Sequence, residues 1–181
     1  GIGLFRCMEQ RLGRHQVIAE DLGYVTDSVR ELVRESGFPG MKVLEFAFDS
    51  RDSGSANDYL PHNYIENSVA YTGTHDNETI TGWFKSITKE ERQMARDYLC
   101  DQHTPAKDLY KSFIALVMRR CSGMCIIPMQ DYMGLPNRCR MNQPSTLCTN
   151  WNLRLVKGEL SEELKEEILA VTKRYGRMNW Q

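Results

Sequence analysis

Short apolar runs alternate with helical patterns along the chain, and this alternation constrains the fold more than any other feature. The runs, each predicted to form a β-strand, cover residues 16–19, 41–48, 68–71 and 124–128. Between them, apolar residues recur at helical spacing, as in the helix that Thr26 can cap and Gly37 can end. Further helices are predicted to begin at Glu78 and at a capping box of Thr88 and Glu91. Strands that alternate with helices indicate parallel β-α-β units and therefore an α/β fold.

Polar residues follow the end of every predicted strand. They are Glu20-Asp21, Asp49, His75-Asp76 and Gln130-Asp131. In a (β/α)₈ barrel the functional site is built at the carboxyl ends of the strands, and a doubly wound sheet also binds ligands there. The pattern alone therefore leaves both folds open, and four strands are half of what a closed barrel needs.

Composition argues against several functional classes. The formal net charge of −1 gives no reason to expect nucleic acid or an anionic membrane as a partner, and no run is long enough for a membrane span. The six cysteines form no CxxC pair, which favours free thiols in a reducing cytoplasm. His62 and His75 have no partner at metal-binding spacing, so no metal is predicted. The three tryptophans are interpreted as core anchors in preference to the alternative, platforms on which a sugar stacks.

Two carboxylates are the best candidates for chemistry. Glu20 ends an apolar run, and partly apolar surroundings suit a general acid. Asp76 stands between His75 and Asn77 in a glycine-containing loop, and planar polar groups of this kind bind sugar hydroxyls. A pair of carboxyl groups across a cleft fits glycosyl transfer. The alternative is that Glu20 and Asp76 bond to the amino ends of the helices that follow them.

Several segments resemble glycoside hydrolase family 77, the amylomaltase or disproportionating-enzyme family. The matching segments include AEDLG at 19–23, GFPGMKVLEFAFD at 37–49, YTGTHDN at 71–77, QDYMGL at 130–135 and RMNQP at 140–144. The resemblance implies a partial (β/α)₈ TIM barrel, with strands five to eight, their helices and loop insertions. Residues 1–181 would then be the C-terminal half of a single catalytic barrel domain.

The resemblance also implies an activity and the residues that carry it. The activity is that of a retaining 4-alpha-glucanotransferase acting on α-1,4-glucans and maltooligosaccharides, without a metal or an organic cofactor. Glu20 matches the general acid/base and Asp76 the carboxylate that stabilises the transition state. The residues implied to bind substrate are His75, Asp21, Phe46, Asp49 and Asn142.

Two departures from the family pattern modify this expectation. The aspartate nucleophile of the family has no matching motif, and Gly1 begins the chain in mid-pattern, so we expect a piece that is inactive without the N-terminal half of the barrel. Open strand edges predict self-association of such a piece. Ser145 stands where the family usually has glycine. A non-catalytic glucan-binding fragment and a hydrolase of the α-amylase clan stay open as alternatives.

Overall fold

The computed structural model describes residues 1–13, 16–23, 25–51, 57–147 and 149–178. In chain order its elements are α1 (Ile2–Leu12), α2 (Asp27–Ser36), β1 (Gly40–Val43), β2 (Ser68–Tyr71), α3 (Ile80–Ser86), α4 (Lys89–Leu99), α5 (Tyr110–Met118), β3 (Met124–Ile126), α6 (Met129–Tyr132) and α7 (Glu162–Arg174). Short 3₁₀ helices cover Leu44–Phe46, Pro61–Asn63 and Asn137–Cys139. None of the helices in these residues is long and apolar enough to cross a lipid bilayer.

The strands form a parallel sheet in the order β1-β2-β3, as the β-α-β pattern predicts. The expected first strand at 16–19 is wrong in extent, because only Ala19 pairs, in a single parallel bridge to Gly40. Ile18 is 41% exposed, so this segment lacks the burial expected of a central strand. The second strand ends at Val43 rather than at residue 48, since the chain turns there into the 3₁₀ helix Leu44–Phe46.

Helix ends with strong local signals lie where the sequence predicts them. Helix α2 begins after Thr26 and ends at Gly37, whose φ of 70° is accessible to glycine without strain. Helix α4 carries the predicted capping box of Thr88 and Glu91. Helix α3 begins two residues later than expected, because Thr79 caps it by accepting a hydrogen bond from the Gly82 amide.

The hydrophobic core lies between the sheet and helices α3, α4 and α5. Phe113 is fully buried at its centre, with ring centroids 5.5 Å from both Trp83 and Phe84. On the opposite face of the sheet, Met124 and Ile126 of β3 are 51% and 39% exposed. The chain therefore leaves the β3 side of this second face open to solvent, although Val43 and Val69 on the same face are buried.

Candidate active site at the carboxyl edge of the sheet

The loop of residues 72–79, which joins β2 to α3, presents His75 and Asp76 to solvent. Within this 72–79 loop the backbone amide and the hydroxyl of Thr74 donate to Asn77 Oδ1 at 2.9 and 2.7 Å. The Asp76 amide donates to Thr74 Oγ1 at 3.3 Å. These local hydrogen bonds fix the turn. The side chains of His75 and Asp76 therefore project outward, and each is about half exposed.

Asn142 joins His75 and Asp76 in one cluster. Its Nδ2 donates to Asp76 Oδ1 at 2.6 Å, and its backbone amide donates to the His75 carbonyl at 3.0 Å. The Nε2 of His75 lies 3.5 Å from the same Asp76 oxygen. Arg140 supports the pair by donating to the carbonyls of Asp76 and Asn142 at 2.7 and 2.9 Å. The structure thus brings together three of the predicted site residues, separated by up to 67 positions in the sequence.

An exposed tryptophan borders this cluster. The ring of Trp151 lies 5.2 Å from that of His75 and the residue is 54% exposed, so its interpretation as a core anchor is wrong. Its φ of 61° and the hydrogen bond from its amide to the Met141 carbonyl hold it beside the site. Trp83 is buried as predicted, and Trp180 lies outside the described residues.

Glu20 lies near the carboxyl end of β2, from which the 72–79 loop starts. Burial, and after it the nearby Glu20 carboxylate, raise the pKa of Tyr71, the last residue of β2. The 72–79 loop begins at the next residue. Glu20 itself is exposed in this chain rather than held in apolar surroundings, because the segment before it pairs only through Ala19. The close approach of the Glu20 and Asp76 carboxylates, at about 5–10 Å, stays a prediction.

The Asp76 side chain bonds to Asn142, and the cap of α3 is Thr79, so the helix-capping alternative for Asp76 is wrong. The other predicted sugar-binding residues have different contacts. Asp21 Oδ1 accepts from the Met41 amide at 2.7 Å, and Phe46 packs edge-on against Tyr59.

Asp49 forms an ion pair with Arg51. The side-chain hydrogen bonds from Arg51 lower the pKa of Asp49 to about 2. Asp49 is therefore a carboxylate at neutral pH.

Two buried carboxyl groups were missed as site residues. Asp131 is 1% exposed, and burial raises its pKa from 3.8 to about 6, against the hydrogen bonds from Thr72 and from the Ile80 amide. Glu45 is 8% exposed, and its pKa lies well above the usual value because of burial, followed by the charges of Asp131 and Glu78. The available signal for Glu45 was that it is the one acidic residue inside the apolar run 41–48.

An α/β chain with carboxylates, an imidazole, an amide and an exposed indole at the carboxyl edge of a parallel sheet has the features of a carbohydrate-processing protein. The family described as 4-alpha-glucanotransferase, glycoside hydrolase family 77, matches residues 1–159. The chain belongs to this family.

Relatives and a solved structure agree with this assignment. The chain is 42% identical over 175 residues to a 4-alpha-glucanotransferase of Clostridium butyricum, covering 96% of this chain and 35% of the relative. It is 40% identical over 183 residues to one of Streptococcus pneumoniae, covering 99% of this chain and 35% of that relative. Amylomaltase of Streptococcus agalactiae, solved in complex with acarbose, superposes with a TM-score of 0.89 at 37% identity, covering 97% of this chain and 35% of that one. The chain therefore spans about a third of the length of the proteins it matches.

Proposed function

We propose that residues 1–181 are the C-terminal half of a single catalytic domain in a 4-alpha-glucanotransferase, built as a (β/α)₈ barrel. On this proposal the described strands belong to barrel strands five to eight. The exposed face of β3 supports it, since Met124 and Ile126 would be covered in a closed barrel, whose interior is packed with side chains. The N-terminal half would supply the nucleophilic aspartate, for which this chain has no motif.

The observation that carries the proposal is the cluster of His75, Asp76 and Asn142 beside β2. Glu20 would protonate the leaving oxygen of an α-1,4 bond and then, as a base, activate the 4-hydroxyl of the acceptor glucan. Asp76 would stabilise the positive charge that develops on the sugar. Because Asn142 donates to Oδ1, we assign the second carboxylate oxygen of Asp76 to the sugar hydroxyls. These steps require no metal or organic cofactor.

The substrates would be α-1,4-glucans and maltooligosaccharides. The exposed ring of Trp151 next to His75 offers an apolar face on which a sugar can stack, with a polar group at its edge. The relative from Streptococcus agalactiae holds acarbose, which makes acarbose a suitable probe of binding. Asp21, Phe46 and Asp49 would reach the glucan at more distant positions.

The free thiols among the described cysteines support a location in the cytoplasm.

The test is the Glu20→Gln variant of the intact protein that contains this chain. We expect kcat for disproportionation of maltotriose to fall by at least about 10²-fold, because the amide cannot deliver a proton. Binding of acarbose, measured by calorimetry, should be retained. Glu90→Gln, on the exposed surface of α4, is the matched control and should leave kcat unchanged. A Glu20→Gln variant that keeps more than about a tenth of kcat would contradict the assigned role.

The products separate the proposal from its alternatives. Transfer from maltotriose yields glucose together with oligosaccharides longer than maltotriose, whereas a hydrolase yields only shorter ones. A non-catalytic glucan-binding fragment would bind acarbose without forming transfer products or hydrolysis products. The 181-residue chain alone should give no transfer, because it has no motif for the nucleophile, and light scattering should detect self-association through its open sheet face.

A further inference from the structure

We propose that Glu45 and Asp131 are positioning residues that hold the 72–79 loop from beneath and thereby set the direction of the Asp76 carboxylate. The inference rests on the proposed role of Asp76 and adds two residues that do not touch the sugar. Their placement relative to the loop is the observation that carries it.

Asp131 ties together the two ends of the loop. It is fully buried in the four-residue helix α6, 59 positions after Thr72. The Thr72 hydroxyl donates to one oxygen of its carboxylate, and the Ile80 amide donates to the other at 2.8 Å. Because Thr72 follows β2 directly and Ile80 is the first residue of α3, this one side chain fixes the exit of the strand relative to the entry of the helix.

Glu45 fills the space inside the loop. Its backbone amide donates to the Thr72 carbonyl at 3.2 Å, and the nearby backbone of Glu78 acts to lower the pKa of Glu45, against the effect of burial. A Cβ atom built on Gly73 would lie 2.7 Å from Glu45 Oε1, so the loop backbone passes directly over the carboxyl group. The absence of a side chain at position 73 therefore leaves the space that the Glu45 carboxyl group occupies.

The charge state of Glu45 follows from its surroundings. The ionisable groups that face it are Asp131 and Glu78, both acidic, and the more weakly acting Arg140. Burial and the two acidic neighbours raise the pKa of Glu45, and its Oε1 is buried without a hydrogen-bond partner. A neutral carboxyl group fits this position, and glutamine has the same shape without the charge.

Loss of either side chain should displace Asp76 rather than unfold the domain. The outer side of the loop stays bonded to Asn142, so the loop is expected to remain in place but to lose its fixed orientation. A misplacement of about 1 Å at a catalytic group costs about 10²-fold in rate. The loss should appear in kcat, with KM for maltotriose changed less than about threefold, since a positioning residue makes no contact with the substrate.

The experiment compares Glu45→Ala and Asp131→Ala with the conservative variants Glu45→Gln and Asp131→Asn in the intact protein. Val117→Ala, at a fully buried position of α5 in the core, is the control for loss of stability alone. For each variant we would measure kcat, KM, the melting temperature and the hydrogen exchange of the Glu78 and Ile80 amides.

We expect both alanine variants to lower kcat by about 10²-fold and to speed exchange at the two amides. The glutamine and asparagine variants should restore most of kcat, whereas Val117→Ala should lower the melting temperature and leave kcat within about twofold. The inference is overturned if the alanine variants keep kcat within threefold of the wild type. It is also overturned if Val117→Ala loses kcat together with its melting temperature, because kcat would then report stability alone. Failure of the proposed function would be distinguishable, because the wild-type protein itself would then form no transfer products.

Discussion

Replacing Asp131 by asparagine should change how the stability of the protein depends on pH. The carboxyl group is buried, and its pKa is raised from 3.8 to about 6 in the folded state. Well below pH 3.8 the carboxyl group of Asp131 is neutral in the folded and in the unfolded state, so its burial as a charge does not lower the stability. As the pH rises through 4 to 6, the unfolded chain loses this proton more readily than the folded one, so the folded state becomes less stable.

The size of the effect follows from the pKa. A rise from 3.8 to about 6 corresponds to about 3 kcal/mol in total, most of which is lost between pH 4 and pH 7. Asparagine does not titrate, so the stability of Asp131→Asn relative to wild type should increase by about 2 kcal/mol over that interval. Carboxylates with lowered pKa values, such as Asp49 and Glu91, act with the opposite sign but are common to both proteins and cancel in the comparison. The relief of charge at Glu45 adds in the same direction.

The assay is urea unfolding of the intact protein and its variant at several pH values from 4 to 7, with the difference in unfolding free energy plotted against pH. Asp97→Asn, at an exposed position of α4, provides a control for removal of a carboxylate. The asparagine at position 131 can still accept from the Ile80 amide, and its amide group can donate to the Thr72 hydroxyl, so any cost of the substitution should be independent of pH. A difference that is flat, or that falls as the pH rises, would refute the reasoning.

Three further substitutions test other parts of the structure. Asn142→Ala removes the hydrogen bond to Asp76 and should lower kcat for maltotriose by about tenfold, the equivalent of a charge-assisted hydrogen bond of about 1.4 kcal/mol; an unchanged kcat would show that this contact is dispensable. Ser145 has a φ of 63°, which strains most residues other than glycine, so Ser145→Gly should leave the stability unchanged or raise it by up to about 1 kcal/mol. A loss of more than about 1 kcal/mol in thermal unfolding would contradict the presence of this strain. Thr88→Ala breaks the capping box of α4 and should cost about 1 kcal/mol by the same assay, with no effect on kcat.

The parts of the fold that were predicted from the sequence are those set by local chemistry. The ends of α2 at Thr26 and Gly37 depend on residues within one turn of the helix, as does the capping box that begins α4. The strand expected at 16–19 failed because a strand is defined by its neighbours, and only Ala19 finds one in this chain. An apolar run reports that a segment can be buried, but it does not say which segment will cover it.

In the site, too, local sequence motifs were predictable, whereas contacts between distant residues were not. His75, Asp76 and Asn142 were identified through motifs that stand at separate places in the sequence, but no motif indicates that Asn142 bonds to Asp76. Glu45 was hidden in an apolar run and became visible only through its position under Gly73. The role of a buried carboxyl group depends on what packs around it, and that information is absent from spacing and periodicity.

The contacts that complete the 72–79 loop also determine when it can be completed during synthesis. The hydrogen bond from Thr72 to Asp131 cannot form until Asp131, 59 positions later, has been synthesised. The bond between Asp76 and Asn142 likewise requires a residue 66 positions later. At about 5–20 residues per second, translation of those 66 residues takes on the order of 3–13 s. Helices α4 and α5 are translated and can fold in that interval, so the segment that carries Asp76 is made before them but acquires its final geometry after them.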